Sequence, residues 1–141
     1  MTAENAVRRL VALLDDPDSD VDATIRLADE IAASGDRGPL PLLEAELDRA
    51  VRDRNPYARE VLGGVLGQLG GAPVLPVLLR ASAVDMGEAD QDGLATEIVD
   101  VALTDPVTAR ALLVPLTRDP DAAVAVRAEW ALRFLPAPPD A

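Results

Sequence analysis

The segment from Arg54 to Arg80 most constrains the fold, because it reads as two helices joined by a two-glycine turn. Its sequence is RNPYAREVLGGVLGQLGGAPVLPVLLR, and weaker copies of its first helix recur elsewhere in the chain. A short helical hairpin buries only one face, so it needs a neighbouring hairpin to complete its core. The repetition therefore predicts a stacked, all-helical array.

The repeat can be followed by aligning alternate helices. Val21, Ala58, Leu94 and Val124 are set as equivalent positions, at intervals of 30 to 37 residues. The positions four and seven residues further on are then apolar in all four helices, as in helical-repeat arrays. They are Ile25, Leu62, Ile98 and Ala128, followed by Ala28, Val65, Val101 and Ala131. Four helix pairs account for the chain. The buried stripe of the second helix is predicted to include Val21, Ile25, Ala28 and Ala32, with Leu27 and Ile31 beside it.

Capping residues and prolines place the helix starts. The predicted start signals are Thr2, Pro39, Asn55-Pro56, Pro73, Asp105-Pro106 and Asp119-Pro120. The second helix is predicted to start at about Val21, and the sixth, which carries Leu94, to follow a polar segment that ends at Asp92. Gly63, Gly64 and Gly67 fall inside the fourth helix, where they are predicted to allow close approach of a neighbouring helix. Residues 1–135 are predicted to form one domain, and the proline-rich residues 136–141 a disordered tail.

Charge and composition exclude several functional classes. The net charge is −12, and aromatic residues make up 2% of the chain, which disfavours nucleic-acid and anionic-membrane binding. There is no cysteine or histidine, so the chain lacks the commonest catalytic and metal-binding side chains. No cofactor is expected. With no signal-peptide or bilayer-spanning pattern, the expected location is cytoplasmic; the lack of lysine suggests a GC-rich bacterial genome.

Two acidic segments partly resemble calcium-binding loops. A loop starting at Asp16 has Val21 and Leu27 where glycine and glutamate are required, so Asp20 and its neighbours are interpreted as a helix-capping turn. A loop starting at Glu88 has Gly93 in place but Val99 at the glutamate position. The Glu88–Asp92 loop is therefore interpreted as a cap for the next helix or as a contact with a partner.

Five residues are candidates for contacting a partner. Tyrosine and arginine are enriched at interface hot spots, which selects a patch of Tyr57 with the neighbouring arginines 49, 52 and 59. The alternative is that these arginines form local ion pairs within the chain, as between Arg49 and Asp53. Trp130 lies on the last helix, where it either closes the end of the core or leaves an apolar end for another molecule.

One helix pair resembles a known family. Pro56, Ala58, Arg59, Leu62, Val65, Leu66, Gly67, Leu69 and Gly70 resemble the P-x-V-R-x-x-A-x-x-A-L-G-x-L-G signature of bacterial HEAT (armadillo-type) repeats. The match covers about 30 residues; DPDAAVAVRAEWALRFL matches more loosely, with Arg127 displaced. The resemblance implies an all-α, short right-handed α-solenoid of about four antiparallel helix pairs with one concave face. It also implies that Arg59 bridges to an acidic turn of a neighbouring repeat.

HEAT-like proteins usually bind other proteins, so the resemblance implies a non-catalytic protein-binding scaffold, adaptor or regulator. The acidity of the chain favours a partner with a basic surface and disfavours nucleic acid or a membrane. Two alternatives stay open: an immunity-type or inhibitor protein that masks a basic enzyme, and a small enzyme or ligand-binding repeat protein. The oligomeric state cannot be read from the sequence.

Overall fold

The fold is helical throughout the part of the chain that the structure describes. A computed structural model describes residues 2–87 and 93–138, and within them there are eight α-helices and no strand. The helices are α1 (Ala3–Asp15), α2 (Val21–Ala33), α3 (Leu40–Arg52), α4 (Pro56–Gly70), α5 (Leu75–Ser82), α6 (Ala95–Thr104), α7 (Pro106–Leu116) and α8 (Ala122–Leu132), with a 3₁₀ turn at Ala72–Val74. The all-helical prediction is confirmed for these residues. The Glu88–Asp92 loop lies outside them.

Side-chain caps explain where several helices begin. The Thr2 hydroxyl accepts a hydrogen bond from the amide of Asn5, and the Asn55 side chain accepts one from Ala58. Asp20 caps α2, as the interpretation of the acidic turn predicted. Each cap satisfies an amide that has no partner inside its helix, and losing one costs about 1 kcal/mol.

The helices pack mainly against neighbours one or two places along the chain. The odd-numbered helices form successive contacts from α1 to α3, α5 and α7, and the even-numbered helices do the same from α2 to α4, α6 and α8. The buried core between them is aliphatic, built mainly from leucine, valine and alanine. Burying such side chains stabilises the fold by about 25 cal/mol per Å² of apolar surface. In this core the buried apolar surface comes from aliphatic side chains and not from aromatic rings.

Glycines allow α4 to lie close to α6. A β-carbon added at Gly63 would lie 2.6 Å from Cδ2 of Leu94, and one at Gly67 would lie 2.9 Å from Cγ2 of Val101. The predicted role of these two glycines is therefore confirmed. Gly64 differs, since an added β-carbon would meet only Cγ of Glu97, at an ordinary contact distance of 3.9 Å. Gly64 is not required for helix packing.

The predicted buried face of α2 is confirmed only in part, at Ala28, which is buried, and at Ala32, which packs against the core. Val21 and Ile25 are 55% and 46% exposed, whereas Thr24, Ala28 and Ile31 are buried. Thr24 can be buried because its hydroxyl donates to the carbonyl of Asp20, 3.0 Å away, within the same helix. The helix is therefore rotated relative to the prediction, and two apolar side chains that were assigned to the core lie at the surface.

Three helix starts also differ from the predictions. Residues Ala72–Val74 form a 3₁₀ turn, and α5 begins only at Leu75, because Pro76 cannot donate to an α-helical bond from an earlier start. Leu94 precedes α6 with a left-handed backbone, at φ 64°. The strain is tolerated because the Leu94 side chain is 1% exposed and fills the space beside Gly63.

The eighth helix begins at Ala122 with Asp121 as its cap, not at Asp119-Pro120. Asp119 instead accepts hydrogen bonds from Nη2 of Arg80, at 2.7 Å, and from the amide of Asp121, at 3.0 Å. These bonds, that from Arg80 above all, hold the pKa of Asp119 below its usual range. The carboxylate form therefore ties α5 to the turn before α8.

We expect the Asp119→Asn variant to be less stable than the wild type at pH 7, with the difference narrowing under acid. The folded-state pKa lies below the unfolded value of about 3.9, so the contribution is present above that value and is lost as the pH falls through the folded pKa. Urea unfolding of the wild type and the variant at several pH values from 7 to 3 measures the difference in stability. Glu44→Gln, at an exposed site on α3, controls for net charge. A difference that persists unchanged to pH 3 would contradict the assignment.

Candidate functional site

A groove between α2 and α4 combines an apolar floor with charged edges. Its volume is about 140 Å³. The lining residues are Ile25, Ala28, Asp29 and Ala32 from α2, with Glu60, Val61, Gly64, Val65 and Gln68 from α4. The helices α2 and α4 pack against each other, and α4 also contacts α6.

The groove exists because of two local features of the sequence. The rotation of α2 places Ile25 at the surface, where its side chain forms one wall. On the opposite side, Gly64 has no side chain, so the backbone of α4 forms part of the floor. The Glu97 side chain of α6 comes within 3.9 Å of the position where a β-carbon of residue 64 would lie.

The edges of the groove carry negative charge. Asp29 and Glu60 are both exposed, and the lining contains these two carboxylates and no cation. Within the described part of the chain, neither carboxylate takes part in an ion pair. Both side chains are therefore available to a cationic group of another molecule.

The predicted partner-contact residues lie on different helices of the structure. Tyr57 is 41% exposed in the first turn of α4, and its spacing from Val61 and Gly64 places it on the same face of that helix as the groove. Trp130 lies on α8, which packs against α5, α6 and α7. It is half-buried against the core and forms an edge-to-face contact with Phe134, at 4.9 Å between ring centroids. The structure therefore does not place Trp130 in one patch with Tyr57.

The exposed arginines of α3 are held in ion pairs within the chain. Arg49 contacts Asp15 of α1 at 2.9 Å, Glu46 at 2.9 Å and Asp53 at 3.5 Å. The hydrogen bonds that Arg49 donates to the carboxylates of Glu46 and Asp15 raise the pKa of Arg49 above its ordinary value. Arg52 pairs with Asp48 at 3.2 Å. The alternative of local pairing, left open by the sequence, therefore describes both residues in this structure.

Arg59 is removed from the candidate contact patch, because its side chain is buried. It is 1% exposed, and its Nη1 donates to the carbonyl oxygens of Ala81, at 3.0 Å, and Val84, at 2.8 Å. These carbonyls lie at the carboxyl end of α5, where a positive charge is favourable and the last carbonyls need donors from outside the helix. Arg59 thus holds the end of α5 against α4.

Two larger depressions are less informative than the groove. One of about 630 Å³ lies along α7 and the tail, and Arg110 on its edge already donates to the carbonyl of Pro136. The other, of about 300 Å³, lies between α1 and α2. In the described residues no group of histidine, cysteine or acidic side chains has the arrangement of a metal site. The lowered pKa of Asp105 arises from its bonds to Thr108 as a helix cap, outside the groove.

Comparison with known proteins adds no relative. No family model matches the chain, and no curated protein or solved structure matches it either. No helix of the described residues is both long enough and apolar enough to span a bilayer.

Proposed function

We propose that the protein is a non-catalytic, HEAT-like α-solenoid that binds another protein on the face of its even-numbered helices. The successive contacts among odd-numbered and among even-numbered helices support a two-layered stack of about four antiparallel helix pairs. The HEAT-type signature around Arg59 supports the same family.

One observation carries the functional part of the proposal: the groove between α2 and α4 is apolar at its floor and acidic at its edges. A protein interface commonly has an apolar centre surrounded by polar groups. Because both walls are helices that pack into the core, the surface is already ordered before a partner arrives, which lowers the cost of binding. The net charge of −12 accelerates encounter with a basic partner.

The lining also supports a non-catalytic role. It offers two carboxylates and one amide but no hydroxyl nucleophile, and the whole sequence lacks cysteine and histidine. Its volume of about 140 Å³ is below the 300–1,000 Å³ typical of small-molecule pockets. A side chain of another protein suits a space of this size better than a complete substrate does.

Affinity purification from the native host, followed by calorimetry with the recovered partner, tests the proposal. We expect the Ile25→Asp variant to bind at least ten times more weakly than the wild type, because a charge replaces an apolar wall of the groove. Val107→Asp is the matched control, since Val107 is 74% exposed on α7. A partner that loses no affinity with Ile25→Asp, or the absence of any protein partner, would overturn the proposal. Suppression of a basic enzyme's activity by stoichiometric binding would identify the inhibitor role instead.

A further inference from the structure

The size of the groove limits what part of a partner it accepts. An enclosed apolar cavity of about 150 Å³ holds one benzene molecule, so a groove of about 140 Å³ has room for a single large apolar side chain. Besides the backbone at Gly64, the floor includes Ala28, Val61 and Val65, whose side chains offer contacts to an aliphatic group but no hydrogen bonds. The part that enters is therefore apolar.

The charges around the groove specify what flanks that apolar group. Asp29 stands on α2 and Glu60 on α4, so the two carboxylates approach the groove from opposite walls. A partner segment with acidic neighbours would be repelled by both. A partner segment with lysine or arginine on either side of the apolar residue gains two attractive contacts.

Gly64 determines whether the groove is open. Its position has ordinary contact room for a β-carbon, so glycine is not needed for the packing of α4. Because Gly64 lines the groove, any longer side chain at this position would add bulk beside the groove, on the side where Glu97 of α6 lies. Gly64 therefore acts on access to the floor and not on the fold, which separates its role from those of Gly63 and Gly67.

On the basis of the proposed function, we infer that the α2–α4 groove accepts one aliphatic side chain from a partner segment that carries lysine or arginine on both sides of it. The groove edges supply specificity through Asp29 and Glu60, and Gly64 supplies the space. The recognised element is a short basic segment with a single apolar anchor, not an extended acidic or uniformly apolar one.

Selection of random twelve-residue peptides displayed on phage against the full chain tests the inference. The enriched peptides are synthesised, and their affinity is measured by fluorescence anisotropy at low and high salt. We expect enrichment of a single Leu, Ile or Val flanked by Lys or Arg. Gly64→Leu lowers the affinity at least tenfold. Asp29→Asn with Glu60→Gln lowers it several-fold at low salt and little at high salt, because salt screens exposed charges. Glu44→Gln leaves it unchanged.

The other possible results of this experiment show which part of the inference is wrong. Enriched peptides that lack basic residues but lose affinity with Gly64→Leu would overturn the inferred partner chemistry and leave the groove as a protein-binding site. Peptides that bind Gly64→Leu as well as the wild type would overturn the assignment of the groove itself. Circular dichroism of Gly64→Leu and Gly64→Ala checks that both variants fold. If Gly64→Leu is unfolded, the double carboxylate variant decides alone, and equal affinity at low salt overturns the inference.

Discussion

Replacing Arg59 with methionine is expected to lower the free energy of unfolding by about 3 kcal/mol. The substitution removes both donors that reach the carbonyls of Ala81 and Val84, and an unsatisfied buried acceptor costs about 1–3 kcal/mol. Methionine fills much of the space of the arginine stem, so the loss of hydrogen bonds is the main change. Urea unfolding followed by circular dichroism measures the difference.

The matched control is Arg52→Met. Arg52 has a side chain that is 69% exposed, with one ion pair to an equally exposed Asp48, and such pairs contribute from zero to about 1 kcal/mol. Hydrogen exchange localises the effect, because loss of Arg59 should release protection first at the carboxyl end of α5. If Arg59→Met and Arg52→Met are equally stable, the buried guanidinium does not hold α5.

The second large effect on stability is expected from replacing glycines of α4. Gly64 and Gly70 are the same residue type in the same helix, but their surroundings differ. A β-carbon at Gly70 would overlap Cγ1 of Val74, and a β-branched side chain has few other rotamers to adopt. We expect Gly70→Ala to lower the free energy of unfolding by about 1–3 kcal/mol through overpacking. Gly64→Ala, where only Cγ of Glu97 lies nearby, should raise it by up to about 1 kcal/mol, because alanine favours the helix.

Thermal and urea unfolding of the two alanine variants in parallel compares them directly. The chemical change is identical in both, so any difference of sign arises from the surroundings of the two positions. Two variants that shift stability in the same direction would show that the close contact between Gly70 and Val74 does not constrain the helix.

The sequence predicted the elements of this fold better than their rotation. Helix starts marked by a capping side chain could be predicted, as at Thr2 and Asn55, because a cap acts within one turn of chain. The face that α2 buries could not, because two apolar stripes are adjacent on that helix and packing against α4 selects between them. The buried stripe was hard to recognise because it contains the polar residue Thr24. Thr24 can be buried because its hydroxyl donates to a carbonyl of its own helix.

That same rotation is why the candidate groove was missed. Val21 and Ile25 were assigned to the core, so no apolar surface was expected on α2. The one available signal was that Thr24, Ala28 and Ile31 also follow helical spacing. The burial of Arg59, which was predicted to belong to the patch with Tyr57, was missed for a different reason. Arginines suit both interfaces and internal caps, and only burial distinguishes Arg59 from Arg52.

The scarcity of aromatic residues gives this protein two separate optical reporters. Trp130 is the sole tryptophan and lies on α8, whereas Tyr57 is the sole tyrosine and lies beside the groove on α4. Indole emission therefore follows the last helix alone, and a change in the phenol band without a change in indole emission marks the neighbourhood of the groove. Unfolding around α8 can thus be distinguished from occupancy of the groove without attaching a dye.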